Sequence, residues 1–404
     1  MSAGCQRILY LSYDGMLEPL GQSQVLAYLE KLAPGREIHL LSFEKPKDWA
    51  DAEVRSLVVA RIAEAGITWH PRLWRNRPRI LAAVYNLLVG LMAALSIAIR
   101  HRVSLFHARN ILCSAMTLPA VFIRRGTLIS DIRGFWPDER VDGGLIAADG
   151  IVYRVLKAIE RAALRRSSAI VTLTHASVPI LKDDPRFGHP RAPVSVIPTC
   201  VDLRRFKPPL AGTGPRGEFI FGYVGSFGTW YMLDETIALF AAVLKRRGDA
   251  KLLIANRNEH DSIRQALERH GVPRESCELC AVRYAEMPQI IQRMSVGACF
   301  VRPQFSKVSS APTKFAEYLA CGVPVIAVAG VGDLAVIIGA DRVGLAVSEP
   351  LLPQLSAIAE KLLALADDPT IAERCRAVAE ARFSLDVGVA AYREIYEGLR
   401  AVGK

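Results

Sequence analysis

Short apolar runs alternate with helix-length amphipathic segments from the start of the chain: RILYLSY, EIHLLSF, ITWHPRL, SLFHAR, TLISDIR, AIVTLT and VSVIPT. Seven such runs at this spacing predict parallel strands joined by crossover helices. After VIPT the stretch CVDLRRFKPPLAGTGPRGE is dense in Pro, Gly and charge, and it reads as an interdomain linker. The pattern then restarts with FIFGYVGS, AKLLIAN, CELCAVR, GACFVRP, VPVIAV and VGLAVSE. Helical segments are expected between them at 232–247, 258–271, 285–294, 313–321 and 353–366, and the chain reads as helical beyond Pro369. The fold class expected is therefore α/β, with two tandem doubly wound Rossmann-like domains facing a cleft and helices at the C-terminus. Their expected bounds are 1–200 and 201–380, with a helix over 381–404 returning toward the first domain. In such folds ligands bind outside the carboxyl ends of the strands.

Composition agrees with a globular chain of two domains: 404 residues, 51% hydrophobic and 23% charged. The charge changes the picture more. Residues 1–200 hold 26 Lys and Arg against 17 Asp and Glu, and between Glu64 and Asp131 nine arginines stand without one acid. Such a field attracts anionic partners. No aromatic-interleaved basic motif accompanies it, so no nucleic-acid partner is expected. Inside the basic stretch, ILAAVYNLLVGLMAALSIAI (80–99) is long enough to span a membrane. Asn86, Gly90, Ser96 and the flanking arginines favour a buried or interface-lying helix instead, and an anionic membrane surface is a candidate partner. Strand-like RILYLSY begins at once, without a secretory leader pattern, and the eight cysteines show no metal spacing. A cytoplasmic protein with free thiols, peripheral on an inner membrane, is expected.

The stretch SSAPTKFAEYLACGVPVIAV (309–328) carries the clearest candidate chemistry. Pro312 precedes a helix that Ser310 or Thr313 can cap, and its first-turn amides favour an anion. Lys314 adds a full charge at that end. Glu317, one turn on, can accept two hydroxyls of a ribose. Arg302 and Lys307, after the strand in GACFVRP, can reach the same pocket. The plainer reading of Lys314 and Glu317 is an exposed i, i+3 pair of small energetic value. In the first domain, Gly15 and Gly21 follow strand one, where backbone can approach a ligand closely or simply turn. Asp131 and Arg133 follow the fifth strand, either as site residues or as a salt bridge that orders the loop. His107 and Arg109 end the fourth. GVGDLA at 330–335 matches G-x-G-x-x-A, weakly, on its own.

SKVSSAPTKFAEYLACGVPVIA resembles the donor-binding signature of glycosyltransferase family 4, retaining enzymes of the GT-B fold. YDGMLEPLGQSQVLAYL, DIRGFWPDERVDGG, VIPTCVDLRRFKP and GYVGS resemble family segments in the family's order. The resemblance implies transfer of a sugar from a nucleotide-diphosphate sugar to a glycan or lipid-linked acceptor, in bacterial surface polysaccharide synthesis. It implies that Glu317 binds the nucleotide ribose and Lys314 the diphosphate. Ser309 stands where the family has the Glu that contacts the sugar, and Ser226 to Trp230 replace the usual Arg and Lys after Gly225. Gly332 and Asp333 stand where the family often has a Gly-Gly pair and an acid. The catalytic set implied is Lys314, Arg302, Asp131 and Arg133. The nucleotide-sugar set is Glu317, Gly21, Gly15, Ser309, Thr313, Gly225, Ser226 and Tyr284.

No D-x-D is present, so metal-independent transfer without a further cofactor is expected. Two alternatives fit the same sequence: a nucleotide-sugar 2-epimerase of the same architecture, and a non-catalytic membrane-associated adaptor.

Overall fold

A computed structural model describes residues 5–209, 217–349 and 351–402. The chain forms two compact units, Met1–Ile197 together with Leu385–Lys404, and Pro198–Ser384. The passages between them thus fall at 197/198 and 384/385, a few residues from the bounds the sequence suggests.

All seven apolar runs of the first unit are strands: β1 Gln6–Ser12, β2 Arg36–Glu44, β3 Thr68–Leu73, β4 Leu105–Arg109, β5 Thr127–Asp131, β6 Ala169–Thr172 and β7 Val194–Val196. They pair in parallel in the order β3-β2-β1-β4-β5-β6-β7. Most are apolar along their length because helices cover both faces of a parallel sheet. The order reverses between β2-β1 and β4, and β1, β4 and β5 end there in Ser12, Arg109 and Asp131.

The long apolar segment forms a helix, Arg79–Arg100, which lies beside a second one, Ile111–Arg124. Its inner face is small: Ala93, Ala94 and Ala98 join Ile97 in a core with Leu9, Leu11, Phe43 and Phe106. Gly90 permits this closeness, since a Cβ there would stand 2.3 Å from Met116 Sδ and 2.9 Å from Phe43 Cζ. The outer face is apolar but exposed. The last helix, Leu385–Val402, belongs to this unit and buries Tyr392 and Tyr396 against β4 and β5.

The second unit repeats the plan with β8 Ile220–Val224, β9 Lys251–Ala255, β10 Cys277–Cys280, β11 Val296–Cys299, β12 Val325–Val328 and β13 Gly344–Val347. Their order is β10-β9-β8-β11-β12-β13, again parallel and again reversing beside the first strand. Apolar cores lie on both faces. The GVGDLA segment leads from β12 into a helix at Leu334–Asp341. The segment expected to be a linker is largely not one. Val201 bridges Ser384, and Phe206 is buried in the core with Phe315 and Phe383, because an aromatic ring gains more by burial than a free linker can offer. Residues 210–216 of that segment lie outside the described residues.

Candidate active site

In the second unit, β8 runs into Gly225, whose φ of +100° suits glycine and turns the chain sharply. Its N–H donates to Ala255 O (2.9 Å), and its carbonyl accepts from Asn256 Nδ2 (3.0 Å). The loop that follows is held by Glu259. That carboxylate accepts the backbone N–H of Phe227 (2.8 Å) and Gly228 (2.7 Å) and also Asn256 Nδ2 (2.6 Å). Burial works to raise the Glu259 pKa, but these bonds and the Lys314 charge outweigh it and hold the group below its ordinary value. Sequence reasoning missed Glu259. The signal was there only as the absence of the usual Arg and Lys in this loop.

Lys314 is not an exposed partner of Glu317. It occupies the first turn of the helix Thr313–Ala320 and is 5% exposed. Its ammonium lies 3.8 Å from the ring centroids of both Tyr223 and Tyr231. A Cβ added to Gly225 would stand 3.6 Å from Nζ, so the glycine is part of its wall. Nζ has no hydrogen-bond partner among the described residues. Two aromatic faces offset only part of the cost of desolvating an ammonium. Burial accordingly pulls its pKa down to about 7, against the opposing pull of Cys299, Glu317 and Glu259. A buried cation in want of an acceptor is what an incoming phosphate satisfies.

Glu317 is 8% exposed on the next turn, and its Oε1 accepts from Tyr284 OH at 3.2 Å. Burial pushes its pKa up to about 7, while Tyr284, Lys314 and Arg205 pull the other way. The Arg205 guanidinium covers the Tyr284 ring at 4.3 Å. Arg205, Tyr223 and Tyr231 are further members of the site that the sequence did not single out. Lys307 is buried with its ammonium 3.9 Å over Trp230, and its carbonyl accepts from Gly332 N–H (2.9 Å).

Other expectations need correction. The helix is capped by neither Ser310 nor Thr313: Pro312 stands at the cap without a side-chain bond, and Thr313 is already the first helical residue. Arg302 is exposed, its backbone N–H donating to Trp230 O (2.9 Å), so it does not join Lys314 in an enclosed cradle. Ser309 is fully buried and donates to Ser306 O (2.9 Å) within its own turn. Ser226 is exposed, its carbonyl accepting from Tyr223 OH (2.7 Å).

In the first unit the plainer readings gain ground. A Cβ on Gly21 would lie 1.9 Å from Gly15 O, and one on Gly15 would lie 2.7 Å from Glu44 Oε2. The space beside Gly21 is thus filled by Gly15, and that beside Gly15 by the buried Glu44 carboxylate, which accepts from Met16 N–H (2.8 Å) and Leu17 N–H (3.1 Å). Asp131 is wholly buried. Its Oδ2 accepts from Tyr392 OH (2.9 Å) and faces His107 Nε2 (3.4 Å), while Arg133 Nη1 approaches Oδ1 at 3.6 Å. His107 Nδ1 in turn meets Tyr396 OH at 2.7 Å. Burial favours the neutral acid, but Arg133, His107 and Arg109 overcome it and hold the carboxyl well below its usual range. Asp131 Oδ2 thus anchors the last helix to the sheet, while Asp131 Oδ1 and Arg133 Nε are buried without a hydrogen-bond partner among the described residues.

Residues 212–382 match the family model of glycosyl transferases group 1. No curated protein matches the chain by sequence. Among solved structures, sucrose-phosphate synthase from Thermosynechococcus elongatus superposes with a TM-score of 0.73 at 16% identity, over 98% of this chain and all of that one. The Anabaena protein HepE in complex with UDP-glucose gives 0.68 at 16% identity, over 97% and 99% of the two chains. WaaG, described as a glycosyltransferase involved in lipopolysaccharide biosynthesis, gives 0.65 at 14% identity, over 96% and 99%. The chain has the GT-B fold, built from two parallel-sheet, Rossmann-like domains with helices at the C-terminus.

Proposed function

We propose that this chain is a retaining, metal-independent glycosyltransferase of family 4, passing a hexose from a nucleotide-diphosphate sugar to a glycan or lipid-linked acceptor in surface polysaccharide synthesis. The Lys314 ammonium carries the reading: enclosed by Tyr223, Tyr231 and Gly225, lacking an acceptor among the described residues, and one turn from the Glu317 carboxylate. The neighbour crystallised with UDP-glucose supports a nucleotide sugar as substrate. In this reading Glu317 accepts the ribose hydroxyls, with Tyr284 holding its other side. Lys314 meets the diphosphate. As the bond from the anomeric carbon to the diphosphate breaks, the departing oxygen gains negative charge beside the fixed cation. The acceptor oxygen bonds to that carbon on the same face, and its proton passes to the leaving phosphate. The epimerase alternative asks for acids and a histidine at the sugar, whereas Asp131 and His107 are spent on Tyr392 and Tyr396.

Donor binding should be linked to proton uptake. An anion at Lys314 raises its pKa from about 7, so above pH 7 the free site must take up a proton to bind. Affinity for UDP, measured by calorimetry, should fall by up to about tenfold per pH unit above pH 7, where one pKa unit corresponds to about 1.4 kcal/mol. UDP affinity independent of pH between 7 and 9 would remove Lys314 from the phosphate. Release of UDP or another nucleoside diphosphate from a panel of sugar donors tests the activity itself and excludes the adaptor reading.

The acceptor side of the proposal rests on a surface. Along the outer face of the helix Arg79–Arg100, Leu81 (68% exposed), Leu88 (54%), Met92 (62%) and Ile99 (53%) form one stripe. Phe122 and Ile123 add to the exposed apolar area, followed by Arg124 and Arg125. The helix is long and apolar enough to cross a membrane, but its opposite face is built into the core. An apolar stripe with basic residues at its ends suits the surface of an anionic bilayer. Flotation with vesicles should require anionic lipid, weaken with salt, and be lost in Leu88→Glu/Met92→Glu. Equal binding to neutral vesicles counts against this surface.

A further inference from the structure

We infer that His39, His70 and His101 form a binding site in the first unit for a divalent first-row transition ion of the zinc class. The three come from separate elements: the middle of β2, β3, and the C-terminal cap of the helix Arg79–Arg100. Parallel pairing sets His39 opposite Thr68 and Leu41 opposite His70, so both strand histidines leave the same face of the sheet. One ring nitrogen of each of the three lies within 4.8 Å of the other two. His39 Nδ1 and His70 Nε2 are 3.2 Å apart. Two imidazole nitrogens bound tetrahedrally at 2.0–2.1 Å from one zinc ion stand about 3.3 Å from each other, so this pair is already at ligand spacing. The His101 ring centroid is 4.1 Å from that of His39, and one of its nitrogens is within 4.8 Å of both partners.

The surroundings supply the outer partner that ligating histidines commonly have. Glu37 Oε1 sits 3.1 Å from His39 Nε2, while its other oxygen accepts from Arg7 Nε at 3.1 Å. A neutral His39 that donates Nε2–H to this carboxylate presents its Nδ1 lone pair to His70. It also sets a negative charge against the nearby Arg72 and Arg100. Three nitrogen ligands of intermediate softness, with a fourth position for water, suit zinc and its neighbours better than magnesium or calcium. The ion would tie the end of the apolar helix to β2 and β3. A hydrogen bond from His70 to His39 and a ring contact of His101 on His39 would account for the cluster without an ion, and titration with metal separates the two.

The test uses the full chain without an affinity tag, stripped with chelator and titrated with Co²⁺, whose visible absorption reports tetrahedral nitrogen ligation. One equivalent should bind and be displaced by Zn²⁺. His39→Ala and His101→Ala should abolish this uptake, whereas His189→Ala, an exposed control, should keep it. Glu37→Gln should weaken affinity about 10–100-fold, the usual effect of removing such an outer carboxylate. Should His39→Ala fail to fold, the partly exposed His101→Ala decides. Equal uptake by the alanine variants, or none by the parent chain, overturns the site.

Discussion

Lys314→Met should lower kcat for sugar transfer by about 10²–10³-fold, the usual effect of removing one fixed donor from developing negative charge, equivalent to about 2.7–4 kcal/mol. It should leave the fold intact and raise its stability. The wild-type lysine titrates near 7 when folded and near 10.5 when unfolded. From pH 7 to 10.5 the unfolded chain therefore holds the extra proton, and stability rises with pH across that window. Below pH 7 the folded protein bears the full cost of the enclosed cation. The methionine variant lacks that cost, so its advantage in urea melts should be largest at and below pH 7 and shrink toward pH 10. Glu317 slopes the other way. Its folded pKa of about 7 lies above its ordinary 4.5, so its contribution is present below pH 4.5 and is lost as pH rises to 7. Together the two groups place a minimum near neutrality that an anionic donor would fill. A Lys314→Met protein with undiminished turnover would end the assignment of this lysine to the leaving group.

Asp131→Asn should destabilise the first unit by about 3–5 kcal/mol, because it leaves the guanidinium groups of buried Arg109 (3.9 Å) and half-buried Arg133 (3.6 Å) facing a neutral amide. The folded carboxyl titrates below its unfolded value. Its stabilisation is thus present above the unfolded pKa, near 3.9, and lost as pH falls through the folded one. Urea melts at pH 7 should show the deficit, and the wild type should approach the variant in strong acid. The Tyr392 contact is part of the same anchor. Tyr392→Phe should cost less, about 1–3 kcal/mol, for one unsatisfied buried acceptor. The opposite pattern, wild-type stability with turnover abolished, would return Asp131 to the reaction and reject the anchor.

The strands were legible because a parallel sheet covered on both faces demands nearly continuous apolar runs, and every one of the thirteen segments quoted from the sequence overlaps a strand. The pairing of Lys314 with Glu317 on one helix face was equally legible, since helical period alone puts them there. Which way that face points was not. Lys314 owes its chemistry to Tyr223, on a strand some ninety residues earlier, and to Tyr231 just beyond that strand. Burial of this kind is a property of distant segments meeting, and local period does not encode it. Asp131 and Tyr392 are 261 positions apart. No local pattern separates a carboxylate that anchors a helix from one that touches a sugar. Gly15 and Gly21 read alike as ligand-facing or as turn glycines until the backbone of one was seen to fill the space beside the other. Secondary structure and its order thus follow from short-range hydrophobic period, written in consecutive residues. Desolvation, charge pairing and close approach are set by which surfaces the tertiary fold brings together, and these decided which of the candidate residues are enclosed and which are paired.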